Sequence, residues 1–75
     1  MKITAENLRT IEFELMYDYS DSEIEYKDFQ FKDVTVCIES EKTIVELKVD
    51  QLSFELNGVK TIEDLQKLIN LIYGE

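Results

Sequence analysis

IEYKDFQFKDVTVCI, Ile24 to Ile38, is the stretch on which the fold turns. Ile24 and Tyr26 fall on even positions, Phe29 and Phe31 on odd ones, and Val34, Val36 and Ile38 on even ones again. Side chains of a strand alternate between its two faces, so a flat strand cannot make this slip without moving its apolar set into solvent. Three arrangements absorb it: a bulge near Asp28, a tight turn at Lys32 and Asp33, or a sheet covered on both faces. A bulge combined with the turn fits best, and it makes the segment two antiparallel strands.

The period of two continues upstream. From Thr10, the residues Ile11, Phe13, Leu15, Tyr17 and Tyr19 alternate with Glu12, Glu14, Met16 and Asp18, which predicts a strand with one buried and one wet face. Ser20, Asp21 and Ser22 read as a turn, since their short polar side chains bond nearby backbone groups. Before this strand, Thr4 is placed to cap a turn through Leu8, with Ile3 and Leu8 as a hydrophobic staple; a helical turn and an early strand are both compatible with it.

Downstream, Glu39 to Lys42 read as a hairpin loop. Val45, Leu47 and Val49 form another strand, and Leu52, Phe54 and Leu56 a further one with its phase reversed across Asp50 and Gln51. Asn57 and Gly58, a pair suited to positive φ, end the sheet. Thr61 with Asp64 three residues on forms a capping box, and Gly74 lies where a left-handed C-terminal cap belongs. Between them Ile62, Leu65, Leu68, Ile69, Ile72 and Tyr73 share one helical face, with Glu63, Gln66, Lys67 and Asn70 opposite. The expected fold is α+β: an antiparallel meander of four to five strands with one C-terminal helix packed on one face, in two layers.

Residues 1–75 have room for a single compact domain. Surface scaling gives such a chain about 4,800 Å² of accessible area when folded. Apolar residues make up 44% of the chain, more than a disordered segment carries. Cys37 is the one cysteine and histidine is absent, so neither an internal disulfide nor a zinc site of the usual ligands can form. No signal-like or membrane-spanning apolar run is present, which makes the cytoplasm the expected location. Seventeen acids against eight bases give a net charge of −9. That balance argues against direct contact with nucleic acid or an anionic membrane and favours a basic protein surface as partner.

No catalytic constellation stands out. Cys37 has no histidine to activate it and lies in the apolar run VTVCIES, where a small buried strand residue is expected. A carboxylate pair of the glycosidase kind needs a cleft between its members, and strand alternation predicts Glu12, Glu14, Glu23 and Glu25 on one flat face instead. The run DYSDSEIEYKD is rich in oxygen ligands. Counted from Asp18, however, the EF-hand positions for glycine and glutamate hold Glu23 and Phe29; counted from Asp21, they hold Tyr26 and Lys32. The expectation is a protein that is not an enzyme and uses neither metal nor cofactor.

The acidic stretch remains. Residues 12–28 hold seven acids and one lysine, so two thirds of the net charge lies in less than a quarter of the chain. Paired as a hairpin, the two strands would set Glu12 and Glu14 in a row facing Glu23 and Glu25, an arrangement with a repulsive cost. A solvated, edge-protecting surface is one account of it. The other is a binding face made by Glu12, Glu14, Asp18, Tyr19, Asp21, Glu23, Glu25, Tyr26 and Asp28, with the tyrosines as anchors. On that account the protein is a small inhibitor or regulator docked on a basic groove, such as one that normally holds nucleic acid. As a nucleic-acid mimic it would match only a short piece of backbone, because alternate strand residues lie about 6.7 Å apart against 3.4 Å between phosphates. Small, acidic and free of proline, the chain is similar in general character to immunity proteins and phage-encoded inhibitors, as a phage or mobile-element product would be, without a motif of any one family. The alternative is a structural or accessory module that forms a homodimer or larger assembly through apolar sheet edges, or through a second face near Phe29 and Phe31.

Overall fold

The computed structural model describes residues 1–21, 23–40 and 42–74; the turn expected at Ser22 and the loop position Glu41 lie outside the described residues. Among those residues the chain runs α1 (Ala5–Thr10), β1 (Glu14–Asp18), β2 (Tyr26–Phe31), β3 (Val34–Glu39), β4 (Lys42–Val49), β5 (Leu52–Glu55) and α2 (Ile62–Tyr73). The five strands form one antiparallel sheet in sequence order, so the fold is the α+β meander with a C-terminal helix that the sequence implies.

The tight turn at Lys32 and Asp33 is present, with Phe31 paired to Val34 and both side chains on the core side. The bulge is not in β2, which pairs with β3 without interruption from Tyr26↔Glu39 to Phe31↔Val34. It lies across from Asp28, in β1, where the register steps from Leu15↔Phe29 to Tyr17↔Asp28 and leaves Met16 as the extra residue. Tyr26 needs no bulge of its own because it faces away from the core: it lies three positions before the inward Phe29 in an unbroken strand, and an odd separation puts the two side chains on opposite faces.

Two further expectations give way. The strand expected from Thr10 starts only at Glu14, because residues up to Thr10 are helical. The Thr4 hydroxyl accepts from the Asn7 amide, and Leu8 is wholly buried beneath the helix, so capping and burial outweigh the local alternation. Glu12, at φ 70°, then turns the chain into β1. At the far end, Asn57 and Gly58 make a turn in which Gly58 does not adopt positive φ. Left-handed backbone occurs instead at Lys32, Ser40 and Asp50, the first residues of the sharp hairpin turns.

Helix α2 has the expected ends: the Thr61–Asp64 capping box is formed in both directions and Gly74 caps at φ 69°. Its Ile62, Leu65 and Ile69 join Phe29, Val34, Val36 and Val45 of the sheet in one core, to which α1 adds Leu8. The Ile62 amide donates to the Met1 carbonyl at 2.8 Å, fixing the start of α2 beside the beginning of the chain. At its end the Tyr73 hydroxyl accepts from the Asp33 amide at 3.0 Å, and the Lys32 ammonium sits 4.4 Å from the centre of the Tyr73 ring. Phe29 is fully buried, and Phe31 lies between Phe13, tilted to it, and Tyr73, edge-on to it, so the second apolar face expected near these two rings belongs to the core.

Both helices lie on the same side of the sheet, and the opposite face is open. This explains an accessible area of 5378 Å², above the scaling value, in a molecule of 39 × 29 × 21 Å. Among the described residues no helix is long and apolar enough to cross a membrane.

Candidate functional site

The bulge decides what the open face carries. In regular alternation Tyr17 would follow Phe13 and Leu15 into the core; the extra residue turns it to the other side, opposite Asp28. There it meets Tyr19 in a stacked arrangement with ring centres 6.0 Å apart, and Tyr26 edge-on at 6.3 Å. The three rings line a shallow open depression of about 300 Å³. Tyr17 is 53% and Tyr19 66% exposed. Aromatic area left this open, with phenol groups able to face water, is the composition that protein interfaces favour.

Beneath Tyr26 lies a small polar seat. Asp28 and Cys37 are paired across β2 and β3, and the Tyr26 hydroxyl is 3.4 Å from Asp28 Oδ2. Its hydrogen bond to Cys37, with the negative charge of Asp28 beside it, pushes the Tyr26 phenol up to about 12. Burial pushes the Cys37 thiol up as well, so the group is held as a protonated, covered thiol. The seat fixes one tyrosine of the three.

The loop that follows β1 is organised by Asp21. Its carboxylate accepts from the Glu23 and Ile24 amides, both at 2.8 Å, which holds its pKa below the ordinary carboxylate value of 3.8. The Asp21 amide donates to the Ile24 carbonyl and the Tyr19 amide to the Tyr26 carbonyl, closing the hairpin. Asp18, Glu23 and Glu25 are exposed around this end of the sheet, with Asp18 opposite Lys27 in the ladder.

The two facing rows of glutamates are not formed. Glu14 lies opposite Gln30, Glu12 sits in the turn after α1, and Glu23 and Glu25 belong to the hairpin loop. Gln30 lies four positions along β2 from Tyr26, roughly 13 Å of strand. Register therefore divides the expected site. Asp18, Tyr19, Asp21, Glu23, Glu25, Tyr26 and Asp28 gather at one end, whereas Glu12 and Glu14 stand at the other. The members that alternation hid are Tyr17 and Cys37. A usable signal was the choice of ring: Phe13, Phe29 and Phe31 pack inward, whereas Tyr17, Tyr19 and Tyr26 keep a hydroxyl that needs water or a partner.

Elsewhere, a wider depression of about 490 Å³ opens between α1 and α2 and is lined by Thr10, Glu12, Gln66 and Asn70 over Ile11, Phe31 and Ile69. Its polar lining is the Glu12 carboxylate, the Thr10 hydroxyl and the amides of Gln66 and Asn70. Among the described residues no group of three or more acids or cysteines is placed to hold a metal ion. No family model matches the chain, and no curated protein or solved structure shows significant similarity to it.

Proposed function

We propose that the protein is a small binding module, an inhibitor or regulator, which docks the Tyr17, Tyr19 and Tyr26 end of its open sheet face on a basic protein surface. The observation that carries this reading is the coincidence of two features. Three tyrosine rings, the exposed Tyr17 and Tyr19 and the half-buried Tyr26, gather at 6.0 to 6.3 Å, and they do so within the segment that holds most of the net negative charge. Tyrosine rings offer area and a face for guanidinium or ammonium groups, and the surrounding carboxylates offer charge-assisted hydrogen bonds to the same groups. Asp18, Asp21, Glu23, Glu25 and Asp28 form that surround. The carboxylates steer the encounter and the rings supply residence. Without the facing rows, imitation of a nucleic-acid backbone is confined to these few charges; arginine and lysine side chains of the partner are the recognised groups.

The test is capture of a partner from the source cell or its host at low and high salt, using wild type, Tyr17→Ser with Tyr19→Ser, and Glu23→Gln with Glu25→Gln. The tyrosine pair should lose retention. The glutamine pair should slow association and flatten its salt dependence. Glu12→Gln with Glu14→Gln removes the same charge from the far end and should bind as wild type does. A partner held equally by all four proteins refutes the site.

A further inference from the structure

The two edges of the sheet are not alike. Edge strand β1 is bulged and carries Glu14 and Asp18, devices that hinder pairing with another chain. Edge strand β5, LSFE, has an unbroken register with β4 and is exposed throughout. Its Leu52 and Phe54, 62% and 49% exposed, stand on the helix side of the sheet beside Val49, and Leu71 and Ile72 of α2 are exposed too. The flank of α2 bearing Gln66 and Asn70 looks toward α1, which leaves the Leu68 and Ile72 flank on the β5 side. An apolar strip thus runs along an edge whose backbone is free to pair.

We propose that β5 pairs with β5 of a second copy of this chain, antiparallel and centred on Ser53, to give a continuous ten-stranded sheet. The Leu56 amide bonds the Val45 carbonyl, and alternation along the ladder then turns Leu52 and Phe54 toward β4 and the Ser53 and Glu55 amides and carbonyls outward. With both copies placing their helices on the same side, directly opposed residues must share a face, so Ser53 meets Ser53 and Leu52 meets Phe54 of the second copy. That register is self-complementary: backbone donors and acceptors pair at the centre, and apolar side chains oppose one another on either side of it. It also brings Glu55, which faces Glu46 within the chain, next to Gln51 of the second copy. A chain of net charge −9 resists meeting itself, yet residues 42–73 hold five acids and four lysines, and the acidic hairpin is at the opposite edge of the sheet. Pairing through β5 keeps the two acidic ends farthest apart. The short strand and narrow strip lie at the small end of the area that stable dimers use, so association depends on concentration. This inference is independent of the proposed partner face, which it leaves open in both copies.

Sedimentation of the whole chain over a concentration series tests it. Wild type should pass from 8.9 kDa to twice that mass, and added salt should favour the larger species. Ser53→Pro deletes an outward amide and the Ser53 hydroxyl's bond to Glu46 while leaving the backbone ladder to β4 in place, and Phe54→Lys places a charge in the strip; each should hold the chain at the monomer mass with unchanged circular dichroism. Opposed residues of a hydrogen-bonded pair have Cα atoms about 5.5 Å apart, within disulfide reach. Ser53→Cys in a Cys37→Ala background should therefore oxidise to a covalent dimer, and Glu14→Cys in the same background should not. A wild-type chain that stays monomeric into the millimolar range overturns the proposal. So does a dimer indifferent to both Ser53→Pro and Phe54→Lys, or one that Ser53→Cys fails to trap.

Discussion

Truncating Leu65 to alanine tests whether α2 holds the sheet as described. Leu65 is fully buried, and Leu68, at the geometric middle of the apolar stripe, is only half-buried on its flank. Removing three carbons forfeits about 2.4 kcal/mol of transfer free energy, and the unfilled space raises the cost to about 3 to 4 kcal/mol. The core that Leu65 shares is rich in β-branched and aromatic residues, Val34, Val36 and Phe29 among them, which have little freedom to close a cavity. A domain of this length is stable by roughly 4 to 11 kcal/mol, so the variant sits near the edge of folding. With an unfolding entropy of about 0.16 kcal/mol per degree, the midpoint should fall by roughly 20 °C. Leu68→Ala should cost about 1 to 2 kcal/mol, because part of its surface is already in water. Urea and thermal melts followed by circular dichroism measure both. A Leu65→Ala cost below about 1 kcal/mol, or equal costs at the two positions, would refute the packing.

Acid should weaken the fold in a defined window. Asp64 and Asp21 are held below their ordinary 3.8, Asp64 chiefly by the Lys60 amide and Asp21 by the Glu23 amide, so the unfolded chain binds protons first. Their stabilisation is full above 3.8 and is lost as pH falls through the lower folded values; urea midpoints across that range should drop less steeply in Asp64→Asn. The Cys37 thiol, covered and raised, should react with a disulfide reagent only on unfolding. Reaction of native protein at the rate of the urea-unfolded chain would contradict its burial. Deleting Met16 should leave a folded chain with Tyr17 still on the open face, since Leu15 and Tyr17 already pair with consecutive residues of β2; amide exchange and tyrosine fluorescence report it, and a collapsed β1–β2 hairpin would show that the bulge is required.

Legibility in the sequence followed how many constraints acted together on each element. The C-terminal helix was plain because cap, stripe and stop coincide: Thr61 with Asp64, the spaced Ile62, Leu65 and Ile69, and Gly74. The turns at Lys32–Asp33 and Asp50–Gln51 were legible because each joins two runs of opposite phase across two residues. Thr10 to Phe13 was misread because alternation over four residues is weak evidence against a capped helix that buries Leu8 wholly.

The candidate site was only half legible, and Met16 is the reason. Periodicity assigns a strand's faces only while its register is unbroken, and a bulge exchanges the faces beyond it. Upstream of Met16 the odd positions Phe13 and Leu15 point to the core; downstream, odd Tyr17 lies opposite Asp28 on the open side. The same inserted residue separates the glutamates that alternation had set in facing rows and assembles the tyrosines it had buried. Two strands with one slip between them had two solutions, a bulge in β2 beside Asp28 or one in β1 across from it. Only the second keeps Phe29 and Phe31 inward with Val34 and Val36 while sending every tyrosine of the hairpin outward. Ring chemistry separates the two where period cannot, since a phenol that enters a core needs a hydrogen-bond partner there and phenylalanine does not.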